Sequence, residues 1–303
     1  MVAANDNLID VNKFTYKAKA YFDLLKFRLT STVAFSAGFG YSLAVEKTSW
    51  SKLMLFLLAS YCITGAANII NQLIETDLDK LMKRTKERPL PTGRLNSQEA
   101  TVFALVLVGL GIVIFTQFFN LRACALAILS LILYGFVYTP LKRKGPIAVF
   151  VGALPGAFPP MIGWVAATNQ FGWEPGILFA IQFLWQFPHF WAIAWVLDED
   201  YKKAGFKLLP SEGGKDLKTT FQIMIYTLCL LPVGWLPYYL GITGMTSAIV
   251  ATICGALFLA QTLHLMRKKT DKTALQLMFG SFAYLPFVQI AFLLDKEIGR
   301  AHV

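Results

Sequence analysis

Nine apolar runs, each long enough to cross a lipid bilayer as a helix, dominate this chain of 303 residues. A transmembrane helix needs roughly 20 apolar residues. Backbone groups in lipid must be hydrogen-bonded within the segment, and these runs are too long and unbroken for barrel strands, so we expect helices rather than a β-barrel. The predicted spans cover residues 25–45, 52–74, 99–118, 121–138, 146–168, 175–197, 219–240, 244–266 and 275–294.

The composition leaves little room for a soluble domain. Hydrophobic residues make up 56% of the chain and charged residues 15%, whereas soluble domains carry about 25% charged residues. We therefore predict an all-α polytopic membrane protein with one transmembrane domain over residues 25–295, an N-terminal segment over 1–24 and a short tail over 296–303. Because the first 24 residues contain acids and lack the apolar core of a signal peptide, a prokaryotic inner membrane is the predicted location.

The net charge of +10 indicates membrane topology rather than nucleic-acid binding. If the N-terminus is cytoplasmic, 23 of the 28 Lys and Arg residues fall on the inner side of the membrane and 5 on the outer side. Such an excess of inner positive charge is the usual topology rule for membrane proteins. It predicts a cytoplasmic N-terminus, an outer C-terminus and a site on the cytoplasmic face, where the two longest loops lie.

A line of oxygen-bearing side chains follows the second apolar run. Asn71, Glu75 and Asp79 are spaced i, i+4, i+8, so on a helix they share one face, which we call the oxygen stripe. Oxygen ligands of this kind suit Mg²⁺, which binds carboxylates together with substrate phosphates. A solvated helix end is the alternative, but Asn71 lies a turn inside the apolar run, where an amide needs partners. Asp77 lies roughly a third of a turn away from this face and is a candidate for supporting the metal ligands or for binding a second metal.

Cations surround this stripe in the predicted topology. Arg and Lys side chains bind phosphate oxygens directly, so the stripe and the cations together indicate a polyanionic substrate. Anchoring to anionic lipid is an alternative role for some of them. The cations that the topology brings to the same membrane face include Lys26, Arg28, Lys83, Arg84, Arg88, Lys142 and Arg143.

A second group of acids, Asp198, Glu199 and Asp200, follows the sixth apolar run. Both acid groups continue into cations and reach a Leu-Pro pair, so we interpret them as parallel repeats four helices apart. Acids are unfavourable at a helix C-terminus, where the macrodipole is negative, and therefore need a cation. That cation is either a neighbouring lysine, Lys202 or Lys203, or a bound metal, for which Asp200 is the predicted ligand.

His189 lies in the middle of the sixth predicted span, within the aromatic stretch from Trp185 to Trp191. A lone histidine inside a membrane is often only a hydrogen-bonded core residue. With the acids about two turns away, it could also contact a substrate or bind a haem iron. The fifth span is rich in small residues, which allow either close helix approach or the binding of a large flat ligand. Both alternatives stay open from the sequence alone.

The oxygen stripe resembles the Asn-x-x-x-Asp-x-x-x-Asp signature of the UbiA superfamily of intramembrane prenyltransferases, and over residues 20–295 the chain is similar to the branch of that superfamily that modifies haem. The stretches that carry the resemblance are Leu25–Thr30, Asn71–Arg94, Tyr138–Arg143, Pro159–Trp164, Trp185–Trp191 and Asp200–Pro210.

This resemblance implies a UbiA-type bundle that transfers a farnesyl group from farnesyl diphosphate to a vinyl group of haem B, giving haem O. Mg²⁺ would bind the diphosphate, and haem B would be a substrate rather than a cofactor. A downstream haem A synthase is a further implied partner, and the lipid bilayer is the surrounding medium. Asn71, Glu75, Asp79, Arg84 and Lys142 are then expected to be catalytic. The expected substrate contacts are Lys26, Arg28, Asp77, Lys83, Arg88, Arg143, His189, Asp198, Asp200 and Tyr201.

Two residues depart from the family pattern. Glu75 stands where the family usually has Asp, and Phe27 replaces a common proline. One alternative function is prenyl transfer to a quinone or chlorophyll precursor. A transporter of haem or prenyl diphosphate is an alternative from another class, although the outer half of the predicted bundle is nearly free of the charges that a path across the membrane would need.

Overall fold

A computed structural model describes residues 15–301, with side chains described through Lys296; residues 1–14 of the predicted N-terminal segment and 302–303 of the predicted tail lie outside these limits. Within this range the chain forms helices and loops and no strand. The helices are α1 (15–24), α2 (Phe27–Ala44), α3 (Trp50–Ile74), α4 (Thr76–Asp79), α5 (Ser97–Phe118), α6 (Leu121–Ile132), α7 (Thr139–Leu141), α8 (Ile147–Thr168), α9 (Trp173–Val196), α10 (Asp198–Lys203), α11 (Leu217–Val233), α12 (Leu236–Tyr239), α13 (Met245–Lys268) and α14 (Asp271–Ala301).

Eight segments of the described chain are long and apolar enough to cross a membrane, which confirms the prediction of a polytopic helical protein. They correspond to eight of the nine predicted spans. The remaining one is α2, which has 18 residues and carries a charged residue, Arg28, at its second position. Helix α2 nevertheless packs inside the bundle, along α8 and α3. Most of its small and polar residues, among them Thr30, Ser36 and Gly40, are buried against other helices, where the apolar surface that lipid contact demands is not needed.

Helices α2 and α8 approach each other closely because glycines face each other's backbones. A Cβ atom added to Gly40 would overlap the Pro160 carbonyl, and one added to Gly163 would overlap the Ala37 carbonyl. Small residues allow this approach in membrane bundles, where van der Waals packing drives helix association. At these positions the glycines of the fifth predicted span therefore serve helix packing.

A π-helical segment, Leu133–Tyr138, joins α6 to α7. A π-turn inserts one extra residue into a helix, and such turns often lie at functional sites. Here the segment is followed directly by Thr139, which is buried, and by Lys142, whose side chain is 12% exposed. Both side chains reach the end of α3. The loops around residues 80–96, 142–146 and 204–216 lie at this end of the bundle, which we call the basic end.

Candidate functional site

The oxygen stripe forms on a helix that continues past the end of α3. The Glu75 backbone N–H donates to the Asn71 carbonyl at 3.0 Å, and the Asp79 N–H donates to the Glu75 carbonyl at 2.8 Å. The i, i+4, i+8 spacing therefore holds across the junction between α3 and α4. All three side chains are buried, with exposed fractions of 2%, 3% and 0% for Asn71, Glu75 and Asp79. Buried carboxylates require partners, because an unpaired charge in a protein interior is costly.

Cations from other parts of the chain supply those partners. Lys142, which follows α7, lies with Nζ 2.8 Å from Glu75 Oε1. Arg88 lies with a guanidinium nitrogen 2.7 Å from Asp79 Oδ2. Lys26, at the start of α2, donates to Asn71 Oδ1 at 2.9 Å. The stripe thus gathers three cations that are far apart in the sequence.

Two further hydrogen bonds fix the amide of Asn71. Its Nδ2 donates to Glu75 Oε2 at 2.9 Å and to Thr139 Oγ1 at 3.1 Å. The Thr139 hydroxyl donates in turn to the Tyr134 carbonyl at 2.8 Å. These hydrogen bonds fix the orientation of the Asn71 amide, so that its oxygen faces Lys26. Thr139 is a site residue that reasoning from charge alone missed, although it lies in the Tyr138–Arg143 stretch that carries the family resemblance.

Two oxygens of the stripe accept no hydrogen bond among the described residues, and of these only Glu75 Oε1 has a cation beside it, Lys142 Nζ at 2.8 Å. Asp79 Oδ1 is fully buried and has no hydrogen-bond partner among the described residues. Almost all buried polar atoms in folded proteins are paired, so an orphaned carboxylate oxygen needs an explanation. With the neighbouring Asn71 and Glu75 oxygens, it makes a set of hard oxygen donors of the kind that Mg²⁺ prefers.

The stripe alone offers too few protein ligands for a closed metal site. No group of three or more His, Cys, Asp or Glu side chains placed to hold a metal occurs in the described part of the chain. One or two carboxylates are, however, the usual protein contribution to a Mg²⁺ site, and the remaining ligands come from substrate phosphates and water. The donor set therefore fits a metal that arrives with a phosphate-bearing ligand.

Aromatic side chains border the stripe on its membrane side. Lys142 Nζ lies 4.8 Å from the centre of the Tyr138 ring and 5.7 Å from that of Phe206. The Tyr138 ring also contacts those of Tyr134 and Phe190, with centroids 5.5 and 6.3 Å apart. Faces of aromatic rings attract cations, here Lys142 itself. Phe206 was not among the predicted site residues, because it lies in a loop far from the stripe in the chain, although it falls in the Asp200–Pro210 stretch that carries the family resemblance.

A small basic cavity of about 190 Å³ opens beside the stripe. Lys26, Arg84, Arg88 and Arg94 line it, together with Asp23 and Glu87. Arg94 pairs with Asp23 at 2.7 Å. Arg84 is exposed, and the structure gives its side chain no hydrogen bond or ion pair among the described residues. The cavity therefore keeps a surplus of positive charge next to the oxygen stripe.

The second acid group lies at the same end of the bundle but has a different environment. Asp200 accepts hydrogen bonds from the backbone N–H groups of Lys83 at 3.0 Å and Arg84 at 3.3 Å, and it pairs with Lys203 at 3.2 Å. Although burial acts in the opposite direction, the Lys83 and Arg84 amides and Lys203 lower the pKa of Asp200 below its ordinary value. Asp200 thus holds the loop that carries Arg84 and Arg88.

Asp198 contributes to neither the stripe nor the loop contact. It pairs with Lys202 at 2.7 Å, and this hydrogen bond and charge raise the pKa of Lys202. The lysines thus supply positive charge to this acid group, and a metal bound to Asp200 stays a prediction. Tyr201 packs against Phe206, with ring centroids 6.0 Å apart, on the inner side of the same helix.

The other predicted substrate contacts lie outside the stripe. Asp77 is 90% exposed and pairs with Lys80 at 2.7 Å. Arg28, Lys83 and Arg143 are also exposed. His189 is half-buried between α9 and α14, with Nδ1 2.9 Å from Ser281 Oγ. The structure therefore gathers Lys26, Arg88 and Lys142 onto the stripe and leaves these five residues at its periphery or further along the bundle.

The sequence matches a known protein family and several known relatives. Residues 33–285 match the UbiA prenyltransferase family. The protoheme IX farnesyltransferase of Cytophaga hutchinsonii is 60% identical over 279 residues, which cover 92% of this chain and 98% of the relative. The protein of the same name from Flavobacterium psychrophilum is 45% identical over 282 residues, covering 90% of this chain and 93% of the relative.

Solved structures share the fold. A digeranylgeranylglyceryl phosphate synthase has a TM-score of 0.77 at 24% identity, covering 92% of this chain and 98% of that one. A UbiA homologue from Archaeoglobus fulgidus, bound to DMAPP and Mg²⁺, has a TM-score of 0.62 at 17% identity, covering 90% of this chain and 98% of that one.

Proposed function

Because this chain belongs to the UbiA prenyltransferase family, as its match over residues 33–285 shows, we propose that its oxygen stripe binds the diphosphate of farnesyl diphosphate and that its acceptor is haem B. The observation that carries the proposal is the buried stripe with its bound cations, in a chain 60% identical to a protoheme IX farnesyltransferase. The enzyme is thus a transferase of the membrane. Its product is haem O.

The reaction breaks the bond between C1 of the farnesyl group and the diphosphate oxygen, and the bonding electrons leave with the diphosphate. The π electrons of a haem vinyl group then form the new carbon–carbon bond. Water adds to the resulting cation and releases a proton, which leaves a hydroxyethylfarnesyl side chain. The difficult part of this sequence is the separation of charge in the first step, so the site must stabilise a departing anion next to an allylic cation.

Lys142, Arg88 and Lys26 supply the positive charge for the departing diphosphate. Each already lies within 3 Å of the stripe, held there by Glu75, Asp79 and Asn71 respectively. Preorganised charges of this kind avoid the cost of reorganisation during the reaction and usually make the largest contribution to catalysis. Arg84, at the rim of the basic cavity, is a fourth cation that can approach the leaving group.

Mg²⁺ would be held by Asn71, Glu75 and Asp79, whose oxygens include the orphaned Asp79 Oδ1. When bound, the metal neutralises charge on the diphosphate and so assists its departure. Asp200 is a further predicted ligand, but its carboxylate already accepts from the Lys83 and Arg84 amides and pairs with Lys203. We therefore place the metal on the stripe.

Aromatic residues serve the other half of the charge pair. The Tyr138 ring contacts those of Tyr134 and Phe190 beside Lys142, and the faces of such rings attract a developing carbocation. They also keep water away until the carbon–carbon bond has formed. A farnesyl chain and a porphyrin are both largely apolar, which suits a site inside a bilayer.

The proposal has two further parts. The basic end faces the cytoplasm, as predicted from the charge distribution, and a haem A synthase consumes the product.

The deciding experiment uses the full chain in lipid nanodiscs with haem B and farnesyl diphosphate. Mass spectrometry should detect haem O when Mg²⁺ is present and none after chelation by EDTA, with activity restored by added Mg²⁺. Replacement of haem B by a quinone or chlorophyll precursor should give no product. Unchanged haem in an assay that supports a known farnesyltransferase would refute the proposal. Equal turnover with a quinone precursor would assign a different acceptor.

A further inference from the structure

Ser281, on the neighbouring helix, contacts both His189 and Trp185, whose ring stacks on that of His189. The His189 Nδ1 lies 2.9 Å from Ser281 Oγ on α14. One turn earlier on α9, Trp185 Nε1 donates to the Ser281 carbonyl at 3.0 Å. The Trp185 and His189 rings stack on each other, with centroids 4.3 Å apart and planes 19° apart. The position and the plane of the imidazole ring are therefore fixed.

The hydrogen bonds of Ser281 also determine which nitrogen of His189 carries the proton. The Ser281 hydroxyl donates its one proton to the Met278 carbonyl at 2.6 Å. Its oxygen must then accept from His189, so Nδ1 carries the N–H. In a neutral imidazole the other nitrogen has a free lone pair. Nε2 is consequently the basic atom of this side chain.

Nothing in the described part of the chain uses that lone pair. His189 is half-buried, and no hydrogen bond of Nε2 occurs among the described residues. The ring is bordered by Phe190 and Phe282, whose centroids lie 5.6 and 5.1 Å away. Apolar rings cannot satisfy a nitrogen lone pair, so this atom suits a ligand that is itself large, apolar and able to accept an electron pair.

His189 is also close to the reaction site. Phe190, next in the chain, contacts the Tyr138 ring, over which Lys142 lies. Helix α9 ends at Val196, beside the basic end, so His189 is about 10 Å from that end along the helix axis. A chain of contacts through the Phe190 and Tyr138 rings and Lys142 links it to the oxygen stripe.

We propose that Nε2 of His189 is an axial ligand of the iron of the haem substrate and that Ser281 is the residue that positions it. This inference rests on the proposed function, because it assumes that haem is the acceptor. The bond is a coordinate bond from the Nε2 lone pair to iron, and no proton is released because the imidazole is neutral. Histidines that bind metals usually donate their other N–H to a fixed acceptor, which is the arrangement found here.

The test is spectroscopic and does not depend on turnover. Ferric haem B is titrated into the full chain in nanodiscs, and the Soret band and the electron paramagnetic resonance spectrum are recorded. We expect an imidazole-ligated signature in the wild type, its loss in His189→Gly, and its return when free imidazole is added to that variant. His264→Ala is the matched control, because His264 also lies in a spanning helix but is exposed on its surface, and it should leave the spectrum unchanged.

A separate variant tests the positioning role. Ser281→Ala removes the acceptor for the Nδ1 proton, and we expect haem affinity to fall about 10- to 100-fold, as is typical for the loss of a residue that orients a metal ligand. An unchanged spectrum in His189→Gly, or a loss that imidazole does not restore, would overturn the ligation. Unchanged haem affinity in Ser281→Ala would overturn the role of Ser281. If the wild type makes haem O while His189→Gly keeps its spectrum, only this inference fails and the proposed function stands.

Discussion

The two acid groups of this protein look alike in sequence and differ in structure. Each follows an apolar run, continues into cations and reaches a Leu-Pro pair. The carboxylates of Glu75 and Asp79 are buried and paired with cations from elsewhere in the chain. Asp198 and Asp200 are paired instead with lysines of their own short helix, and Asp200 also binds backbone amides. The two groups therefore differ in burial and in where their partners come from, although both consist of acids. We interpret the first group as a binding site and the second as a structural contact.

The second group supports the first. Asp200 holds the loop on which Arg84 and Arg88 lie, and Arg88 reaches Asp79 from that loop. The two acid groups therefore have different roles at the same end of the bundle. The variants below test this division, and their expected effects decrease from the first to the last.

The largest effect is expected for Asp79→Asn. This change keeps the shape of the side chain and removes the charge of a buried oxygen donor, so we expect turnover to fall by about 10²- to 10³-fold, as for other losses of preorganised charge. It also leaves Arg88 without its partner, and removing one member of a buried ion pair costs about 3–5 kcal/mol. Turnover is measured by haem O formation, and stability by thermal unfolding in detergent.

The double variant Asp79→Asn with Arg88→Met separates the two effects. Removing both charges should recover most of the lost stability, since no unpaired charge remains, while turnover stays low. Recovery of activity together with stability would show that Asp79 serves packing rather than the substrate.

A smaller effect is expected for Asp200→Asn. An asparagine offers only one side-chain acceptor, so one of the two amides, of Lys83 or Arg84, loses its partner. We expect kcat/KM to fall about 10-fold, mainly through KM for farnesyl diphosphate, because the loop that carries Arg88 is held less firmly. Asp198→Asn is the matched control and should have no effect. A loss as large as that of Asp79→Asn, with a raised Mg²⁺ requirement, would make Asp200 a metal ligand.

Glu75→Asp should change turnover little, because the shorter side chain keeps the charge and restores the residue usual in the family. The oxygen moves by about one methylene, and we expect activity to stay within the same order of magnitude, with Mg²⁺ dependence as the measurement. A loss comparable to that of Asp79→Asn would show that the Glu75 contact with Lys142 needs the longer side chain.

The smallest effect is expected for Asp77→Ala. Its side chain is 90% exposed and pairs only with Lys80 among the described residues, and such surface pairs contribute about 0–1 kcal/mol. Turnover should equal that of the wild type in the haem O assay. A clear loss would place Asp77 on the substrate and enlarge the stripe beyond its three residues.

Much of this arrangement could be predicted because it depends on periodicity. The apolar runs fix the helices, and the spacing of Asn71, Glu75 and Asp79 fixes their common face. The contact between Asp200 and the Lys83 and Arg84 amides could not be predicted, since every residue offers the same backbone group. The number of qualifying spans also differed by one, because the polarity of α2 reflects contact with other helices.

The contact of Thr139 with the stripe could not be predicted either, whereas Lys142 was expected near the stripe but its pairing with Glu75 was not. These contacts depend on the π-helical turn of Leu133–Tyr138, which rotates the following residues about the helix axis. A π-turn has no simple sequence pattern from which this rotation could be predicted. The roles of the predicted substrate residues at the periphery remain predictions that the variants above and the haem titration can test.

The pairing of Lys142 with Glu75 and of Arg88 with Asp79 makes the stripe self-neutralised. A metal ion that binds the two carboxylates without a diphosphate would leave Lys142 and Arg88 without an anionic partner. A diphosphate that binds the two cations without a metal would leave Glu75 and Asp79 without a cationic partner. Either event leaves buried charge unpaired, which is costly. When the two arrive together, each charge exchanges one partner for another. We therefore expect Mg²⁺ and diphosphate to bind with strong positive cooperativity, each raising the affinity for the other by the same factor.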